Sequence, residues 1–358
     1  MTTRYSPRSI STPRPPVHRD PLRHSADKRP RADNTPGSPR VGWRSRRRPG
    51  GRERLWSSRV GLPAGCEDAP VLDLLPSALP ATVTATPARL LRRLRGAPSP
   101  VAGRTVLVTG ASSGIGEHTA YAAARAGAKV LLVARRAEEL DRVAEQVRAL
   151  GGQAATYSCD LTDGEAVDAL VVRVLAEHGA VDHLVNNAGR SIRRSLSESA
   201  DRFHDVERTM AINYFGPVRL TMGLLPAMRA QGFGHVVNVV SWGVQIKAPK
   251  FSAYLASKSA IDTWGRILAR EARSDGVHVT NMRFGLVKTP MIAPTKEYEN
   301  QRAMTAEQAG QQVLRIMEDL PPAWGHPVGY VGEAMGLLAP RLTDAVMHRL
   351  HQRIPDAR

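Results

Sequence analysis

A tyrosine and a lysine spaced four residues apart, Tyr254 and Lys258, are the residues of this chain best suited to chemistry. Four residues is just over one helical turn, so both side chains would leave the same face of a helix. A tyrosine hydroxyl, with a reference pKa of about 10, exchanges protons poorly at neutral pH, but a nearby ammonium group lowers that pKa. The pair could then act as a general acid or base toward an alcohol or a carbonyl oxygen. The same spacing arises by chance on solvated helices, so the pair indicates a catalytic site only if other motifs of the chain support it.

A glycine-rich turn lies far upstream of this pair. Thr105–Val108 is a short apolar run typical of a buried strand, Thr109–Gly116 contains three glycines, and a helical stretch begins at Glu117. Strand, glycine turn and helix is the context of a dinucleotide site, where the bare backbone approaches a pyrophosphate at a helix N-terminus. The alternative is a tight turn that binds no ligand. The predicted cofactor contacts in this turn are Gly110, Ser112, Ser113, Gly114, Ile115 and Gly116.

Strand and helix patterns alternate through the rest of the chain. Further strands are predicted over Lys129–Ala134, Ala154–Cys159, His183–Asn186, His235–Val240 and His278–Arg283, and helices over Phe203–Gln231 and Ser252–Ser274. Repeated βα units predict an α/β fold with a doubly wound, Rossmann-type parallel sheet. Ligands bind such sheets at the carboxyl ends of the strands. One cleft could therefore collect the residues that follow strand ends, namely the glycine turn, Asp160, Asn186, Ser241 and Gly285.

Taken together, these motifs resemble the short-chain dehydrogenase/reductase family. The matching pieces, in order, are Thr109–Gly116, Asn186-Asn187-Ala188-Gly189, Asn213, Ser241, and Tyr254 with Lys258. The resemblance implies that Tyr254 is the general acid/base, and that Lys258 lowers its pKa and binds the nicotinamide ribose. It also implies that Ser241 holds the substrate oxygen and that Asn213 anchors a water in a proton relay.

The same resemblance implies further cofactor contacts. Asp160 would contact the adenine and Thr289 the nicotinamide carboxamide, and the remaining contacts would be Leu161, Asn187, Ala188, Gly189 and Val287. The family commonly has Pro-Gly after the sixth strand, where this chain has Phe284-Gly285. Because the fixed φ of proline is lost there, the backbone contact of Val287 is the least constrained of the set.

Cofactor choice is readable at the end of the second strand. An acid at that position binds the ribose 2′-hydroxyl of NAD, whereas a basic residue suits the 2′-phosphate of NADP. Here Arg135 and Arg136 follow the strand, and no acid occurs before Glu138. A guanidinium binds phosphate through paired hydrogen bonds, so the sequence favours NADP(H) over NAD(H). The alternative is two solvated arginines at the start of a helix.

The C-terminal part carries a finer resemblance. Lys288–Thr295 and Leu338–Asp344 are similar to segments of actinobacterial fatty acyl and ketoacyl reductases, including those acting on mycolate precursors. This implies a small-molecule lipophilic substrate: a fatty acyl or β-ketoacyl compound, or a fatty aldehyde. Methionine suits adaptable apolar pockets, and the relevant apolar residues are Met291, Ile292, Met304, Met317, Met335 and Met347. A helical stripe of Leu342, Val346, Leu350 and Ile354 indicates packing against the core or another subunit, or contact with lipid.

The net charge of +17 suggests nucleic acid at first sight, but its distribution argues against it. Residues 1–100 hold 20 of the 50 Lys and Arg and 7 of the 33 acidic residues, a net +13, which leaves +4 for the remainder. We expect a disordered Pro/Arg-rich leader over 1–80, a linker over 81–100, an NADP-binding catalytic domain over 101–289 and a substrate-loop and helical extension over 290–358. The basic cluster Arg44–Arg48 could touch nucleic acid or anionic lipid. The alternative is a reading frame that truly starts further downstream.

The remaining composition is typical of a soluble cytoplasmic enzyme. Two cysteines, Cys66 and Cys159, give neither a disulfide framework nor a metal-binding spacing, and no apolar run reaches 18 residues. We therefore expect an NADPH-dependent oxidoreductase that interconverts a carbonyl and an alcohol, without a metal, as a homodimer or homotetramer. Peripheral membrane contact stays open. The alternatives are a dehydrogenase or reductase of steroid-like or other small ketones, and a non-catalytic dinucleotide-binding regulator.

Overall fold

The apolar runs of the sequence form one parallel sheet. The computed structural model describes residues 96–293, 298 and 301–353. Its strands are β1 (Thr105–Thr109), β2 (Lys129–Ala134), β3 (Gln153–Ser158), β4 (His183–Asn186), β5 (Gly234–Ser241), β6 (Val277–Phe284) and β9 (Ala323–Gly325), with a separate parallel pair β7 (Val287–Lys288) and β8 (Met304–Thr305). The main sheet has the order β3-β2-β1-β4-β5-β6-β9, and all its pairs are parallel. The order reverses between β1 and β4, so a crevice opens at the carboxyl ends of these strands. The predicted Rossmann-type fold is confirmed.

Helices cover both faces of the sheet. They are α1 (Gly114–Arg125), α2 (Ala137–Ala149), α3 (Gly164–His178), α4 (Phe203–Met210), α5 (Gly216–Ala230), α6 (Gly243–Ile246), α7 (Ser252–Glu271), α8 (Ala306–Asp319), α9 (Pro327–Leu338) and α10 (Pro340–Arg353). One apolar core lies under α1, α2 and α8, and the other under α3, α5 and α7. Successive strand residues pack into opposite cores: Val106 and Val108 lie in the first core, and Leu107 lies in the second. Each such buried side chain contributes about 1.5–3 kcal/mol relative to exposure, which holds the strand ends rigidly.

A π-helical turn, Ala211–Phe215, separates α4 from α5. The sequence predicts a mainly helical stretch over Phe203–Gln231, and the structure agrees except at this turn. The wider turn carries Asn213, whose side chain is almost fully buried. Single π-helical turns inside helices recur at functional sites because they redirect one side chain.

The C-terminal part differs from the sequence-based expectation in two ways. The main sheet gains a seventh strand, β9, which pairs with β6 at the sheet edge. Trp324 of this strand packs against Phe284 at a ring-centroid distance of 5.1 Å. Helix α10 buries none of its residues. The interpretation of its apolar stripe as core packing is therefore wrong for Leu342, Val346 and Leu350. Ile354, the fourth member of that stripe, lies outside the described residues.

The predicted leader over 1–80 and most of the linker over 81–100 also lie outside the described residues. Within the described part of the chain, no helix is both long and apolar enough to cross a lipid bilayer. A cytoplasmic location and any peripheral membrane contact stay predictions.

Candidate functional site

A cavity of about 1270 Å³ lies at the carboxyl edge of the sheet. Sixteen of the predicted site residues line it: Gly110, Ser112, Ser113, Gly114, Ile115, Arg135, Arg136, Leu161, Asn187, Ala188, Gly189, Ser241, Tyr254, Lys258, Val287 and Thr289. Gly116, Asp160 and Asn213 do not line it. The structure thus brings the glycine turn and the tyrosine–lysine pair to one space, as the strand-end argument requires.

The glycine turn after β1 is bound tightly to the loop after β4. The Thr109 hydroxyl accepts hydrogen bonds from the backbone amides of Asn187 and Ala188, both at 3.0 Å. The Asn187 side chain donates to the Thr109 carbonyl at 2.9 Å. A Cβ atom on Gly116 would collide with the Gly110 carbonyl oxygen and lie 2.6 Å from the Asn187 amide nitrogen. Gly116 is therefore needed to pack the turn, although it does not face the cavity.

The start of α1 offers backbone donors at this turn. Ser113 occupies the N-cap position in an extended conformation, and within the described residues its side chain makes no capping hydrogen bond. The first amides of a helix lack intrahelical partners and carry the positive end of the helix dipole. Together with the close backbone approach at the glycines, they form a cradle that fits a pyrophosphate.

Tyr254 and Ser241 form a hydroxyl pair within the cavity. Tyr254 lies in the first turn of α7, and its hydroxyl shares a hydrogen bond with Ser241 at the end of β5. The Ser241 oxygen also accepts from the Gly243 amide at 3.1 Å. Burial raises the pKa of Tyr254 to about 12; the Ser241 hydrogen bond acts in the opposite direction and the charge of Tyr298 adds to the rise. Tyr254 consequently keeps its proton at neutral pH.

Lys258 lies one turn further along α7 and is buried. Its ammonium donates to the Val239 carbonyl at 2.9 Å, and burial lowers its pKa to about 8. The expectation that Lys258 holds the pKa of Tyr254 below its ordinary value is wrong for the protein as described. The loss of water around the phenolate outweighs the other influences on Tyr254. This arrangement suits a tyrosine that donates a proton rather than one that removes it.

Asn213 lies directly behind the cavity wall. Its amide oxygen accepts from the Arg190 backbone N–H, and its amide nitrogen donates to the Arg190 carbonyl and to the Ser257 hydroxyl, each at 2.9 Å. A Cβ atom on Gly189 would lie 2.8 Å from the Asn213 amide oxygen and 3.2 Å from the Lys258 nitrogen. Asn213 and Lys258 are therefore close neighbours across Gly189, and Asn213 fixes the loop after β4.

Two arginines stand at the cavity end of β2. Arg135 and Arg136 are largely exposed, with Arg135 at 3.7 Å from an Asp160 carboxylate oxygen and Arg136 at 3.9 Å from that of Glu139. The other Asp160 oxygen accepts from the backbone amide and hydroxyl of Thr162 at 2.9 and 2.8 Å. Burial opposes ionisation of Asp160, but the Thr162 hydrogen bonds and the Arg135 charge outweigh it and lower the pKa. This end of the cavity presents two guanidinium groups to any anionic ligand.

Part of the cavity lining is apolar, and sequence reasoning identified only some of it. Met291 and Ile292 are among the apolar residues predicted for a lipophilic pocket, and both line the cavity. Trp242, Ile246 and Phe251, from the connection between β5 and α7, were missed. Their contribution depends on how this connection folds back over the sheet edge, and no local pattern encodes that.

The other C-terminal methionines do not support the pocket interpretation. Met317 is buried in the core under α8, Met304 packs against that core, and Met335 is 40% exposed. Neither these three nor Met347 lines the cavity. Leu350 and Arg353 of α10 do line it, so the C-terminal helix contributes to the site through its last turns.

A second cationic group was also missed by sequence reasoning. Arg190 and Arg193, in the loop after β4, and Arg208, near the end of α4, all line the cavity. Arg190 and Arg193 follow β4, on the other side of the strand-order reversal from Arg135 and Arg136, which follow β2, and Arg208 lies five residues before Asn213, whose side chain binds the Arg190 backbone.

Comparison with known proteins agrees with this geometry. Residues 104–300 match the family model for short chain dehydrogenases. The chain is 44% identical to a fatty acyl-CoA reductase of Mycobacterium tuberculosis over 270 residues, which cover 75% of this chain and 92% of that protein. It is also 44% identical to a fatty acyl-CoA reductase of Acinetobacter baylyi over 247 residues, or 69% of this chain and 84% of that protein.

A solved structure shows the same likeness. The crystal structure of a metagenomic short-chain oxidoreductase in complex with NADP is 30% identical, with a TM-score of 0.54, and the match covers 62% of this chain and 93% of that one. With its parallel sheet, its glycine cradle and its serine–tyrosine–lysine arrangement, this chain belongs to the short-chain dehydrogenase/reductase family and is an oxidoreductase of that type.

Proposed function

We propose that this protein is an NADPH-dependent reductase of lipophilic carbonyl compounds, with a fatty acyl thioester as its first candidate substrate. One observation carries the proposal. A protonated Tyr254, paired with Ser241, lies in a single cavity between a dinucleotide cradle and an apolar lining.

The cofactor assignment rests on the fit of the residues present. The glycine turn and the free amides of α1 suit a pyrophosphate, and Arg135 and Arg136 suit a ribose 2′-phosphate. An acid in place of Arg135 would repel that phosphate and favour NAD(H). Thr289 and the Val287 backbone, after β6, are the candidates for contact with the nicotinamide, and Asp160 for contact with the adenine. When bound, NADPH would supply a hydride to the substrate carbon.

The chain's own residues would then handle the carbonyl oxygen. Ser241 and Tyr254 would hold it by hydrogen bonds, and Tyr254 would give its proton as negative charge develops there. Lys258 would bind the nicotinamide ribose and, beside Asn213, lie on the route by which a proton returns to Tyr254. With a thioester, Tyr254 would protonate the carbonyl oxygen as its carbon is reduced, which gives a hemithioacetal; the C–S bond would then break as the hydroxyl proton passes to the sulfur. The products are an aldehyde and a thiol, at the expense of one NADPH and one proton.

The substrate class rests on the cavity lining and on the relatives. Trp242, Ile246 and Met291 give the substrate half an apolar surface, and apolar walls favour long hydrocarbon chains over compact polar ketones. Two relatives at 44% identity are named fatty acyl-CoA reductases. The same fit supports a lipid-processing role.

We also infer that the protein is a homo-oligomer. Large apolar side chains are exposed along α4, the π-helical turn, α5 and α7: Phe203 (70% exposed), Phe215 (59%), Met222 (61%) and Ile267 (47%). Such side chains on neighbouring elements favour association with a second copy. Light scattering of the purified protein tests this inference.

The substitution Tyr254→Phe tests the catalytic assignment. It removes the proton donor while keeping the ring, so turnover with a long-chain acyl-CoA should fall by about 10²-fold or more while NADPH affinity stays nearly unchanged. Tyr330→Phe, a tyrosine outside the cavity lining, is the matched control and should retain full activity. Retention of more than about a tenth of the wild-type kcat by Tyr254→Phe would show that another group is the acid.

A further inference from the structure

The cationic group on the β4 side of the cavity has no role in the function proposed above. We propose that Arg190, Arg193 and Arg208 bind the phosphate groups of coenzyme A, so that the enzyme takes its acyl chain as a CoA thioester in preference to carrier-free compounds of the same length. This inference rests on the proposed reductase function and names the substrate class of the same site.

The side chains themselves support an anionic ligand. Arg190 and Arg208 are exposed to the cavity, and among the described residues neither guanidinium has a carboxylate partner. Glu207 is the single acidic residue of the described chain that lines this cavity, against three arginines on the same side. Guanidinium groups bind phosphate oxygens in pairs of hydrogen bonds, which makes arginine well suited to this ligand.

The cofactor does not account for this cluster. Its pyrophosphate fits the glycine turn after β1, and its 2′-phosphate fits Arg135 and Arg136 after β2. Arg190 and Arg193 follow β4, on the far side of β1 in the sheet order. One cavity therefore holds two separate cationic regions, and the second calls for an anion that belongs to the substrate.

The loop that carries the cluster is fixed next to the reacting groups. The Arg190 backbone is bound on both sides by the Asn213 amide, which neighbours Lys258. The Arg194 amide donates to the Lys250 carbonyl at 2.7 Å, which ties the loop to the segment before α7. Arg208 precedes Asn213 by five residues along the helical stretch, or roughly 7.5 Å along its axis. The loop that carries Arg190 and Arg193, and the helix that carries Arg208, are thus anchored beside the reacting groups.

The rest of the lining completes the match to an amphiphile. Along the carboxyl edge of the sheet, the cavity is basic after β4 and apolar after β5 and β6, where Trp242, Ile246 and Met291 lie. A CoA thioester has the same order: an anionic head, a thioester carbonyl, and an acyl tail. With the carbonyl at Ser241 and Tyr254, the head meets the arginines and the tail meets the apolar residues.

The double variant Arg190→Gln/Arg208→Gln tests the inference against three substrates that share one twelve-carbon chain. These are dodecanoyl-CoA, the dodecanoyl thioester of N-acetylcysteamine, which lacks phosphates, and dodecanal. We expect kcat/KM for dodecanoyl-CoA to fall by about tenfold or more, mainly through KM, with the other two substrates changed less than about twofold. NADPH affinity should be unchanged, and KM for the CoA ester in the wild type should rise with added salt.

The matched control is Arg125→Gln/Arg349→Gln, which removes the same charge from two exposed arginines outside the cavity lining and should leave all three substrates unaffected. Equal losses on all three substrates, or no loss on the CoA ester, would overturn the inference. A wild-type enzyme that reduces dodecanal but neither thioester would also overturn it while leaving the reductase assignment standing. A wild-type enzyme that reduces none of the three would instead refute the proposed function itself.

Discussion

The half of the molecule that would bind the cofactor and the two C-terminal helices, α9 and α10, are built in opposite ways. From β1 to β6, site residues stand on buried strands and on helix starts that share hydrogen bonds with one another, such as the Thr109–Asn187 link. Helix α8 still packs on the core of the sheet, but the two helices after β9 bury little: α9 buries Gly329 alone among its residues, and α10 buries none. Leu337 and Leu338 are 79% and 82% exposed.

We infer that this difference follows from what each region would hold under the proposed function. A nicotinamide and a proton donor must meet a carbonyl in one geometry, and only residues fixed by packing and second-layer hydrogen bonds achieve that. An acyl chain varies in length and conformation, so exposed helices with few fixed contacts suit it better. We infer that substitutions in the first region change cofactor binding and the chemical step, whereas those in the second change substrate preference.

The largest contrast should appear between two glycine-to-alanine substitutions. In Gly116→Ala the new Cβ would collide with the Gly110 carbonyl, so we expect loss of measurable NADPH binding and a lower melting temperature. Gly336, in α9, has open space around the position of a Cβ atom. Gly336→Ala should therefore keep cofactor affinity and gain roughly 0.5–1 kcal/mol of stability, because alanine favours the helix. Similar behaviour of the two variants in NADPH titration and thermal melting would contradict the contrast.

Two buried histidines of the cofactor half should make the stability of the protein sensitive to acid. His183 and His235 are buried in the sheet with their Nδ1 atoms 3.3 Å apart, and His235 Nε2 lies 2.9 Å from the Thr280 hydroxyl. Burial, with a smaller opposing effect from Asp182, lowers the pKa of His183 to about 4. Below about pH 6.5 His183 is protonated in the unfolded chain but stays neutral in the folded protein. The free energy of unfolding should therefore fall as the pH drops from about 6.5 toward 4.

The full loss from His183 approaches about 3 kcal/mol, which chemical denaturation at several pH values would measure. The variant His348→Gln, which changes an exposed histidine of α10, should show the same acid sensitivity as the wild type. Unchanged stability of the wild type between pH 6.5 and 4.5 would contradict the burial argument.

A smaller effect is expected from the arginines after β2. Arg135→Ala/Arg136→Ala should weaken NADPH by about tenfold while leaving NADH nearly unchanged, because only NADPH carries the 2′-phosphate. The control Arg341→Ala/Arg349→Ala removes two exposed arginines from α10 and should leave the affinity for both cofactors unchanged. If Arg135→Ala/Arg136→Ala weakens the binding of NADPH and NADH by the same factor, the two arginines do not bind the 2′-phosphate.

The cofactor half is also the part that the sequence predicts well. The strands Lys129–Ala134 and His183–Asn186 occur with the predicted bounds, because apolar runs and turn residues mark them locally. Tyr254 and Lys258 share a helix face, as predicted, because four residues is just over one helical turn. The remaining features depend on contacts between distant segments. The three residues of β9 are too short for any periodicity, and the π-helical turn at Asn213 leaves no signature in residue type.

The electrostatics of the site were the least predictable part. The spacing of Tyr254 and Lys258 predicts a lowered tyrosine pKa, yet burial raises it. The arginine cluster was not identified from the sequence either, since Arg190 and Arg193 lie in an irregular loop after β4 and Arg208 comes from α4, which packs beside α7. Position along a chain shows which residues are able to react, but burial decides their charge.

The dependence of kcat/KM on acyl chain length tests the central claim most directly. NADPH oxidation should be followed with CoA thioesters from four to sixteen carbons, with Tyr254→Phe as the blank. Each methylene buried against the apolar lining contributes about 0.8 kcal/mol, or roughly a fourfold gain, so kcat/KM should climb steeply and then level off once the cavity is filled. A flat response from short to long chains, or a maximum at the shortest substrate, would contradict the account of a cavity built for a lipophilic carbonyl.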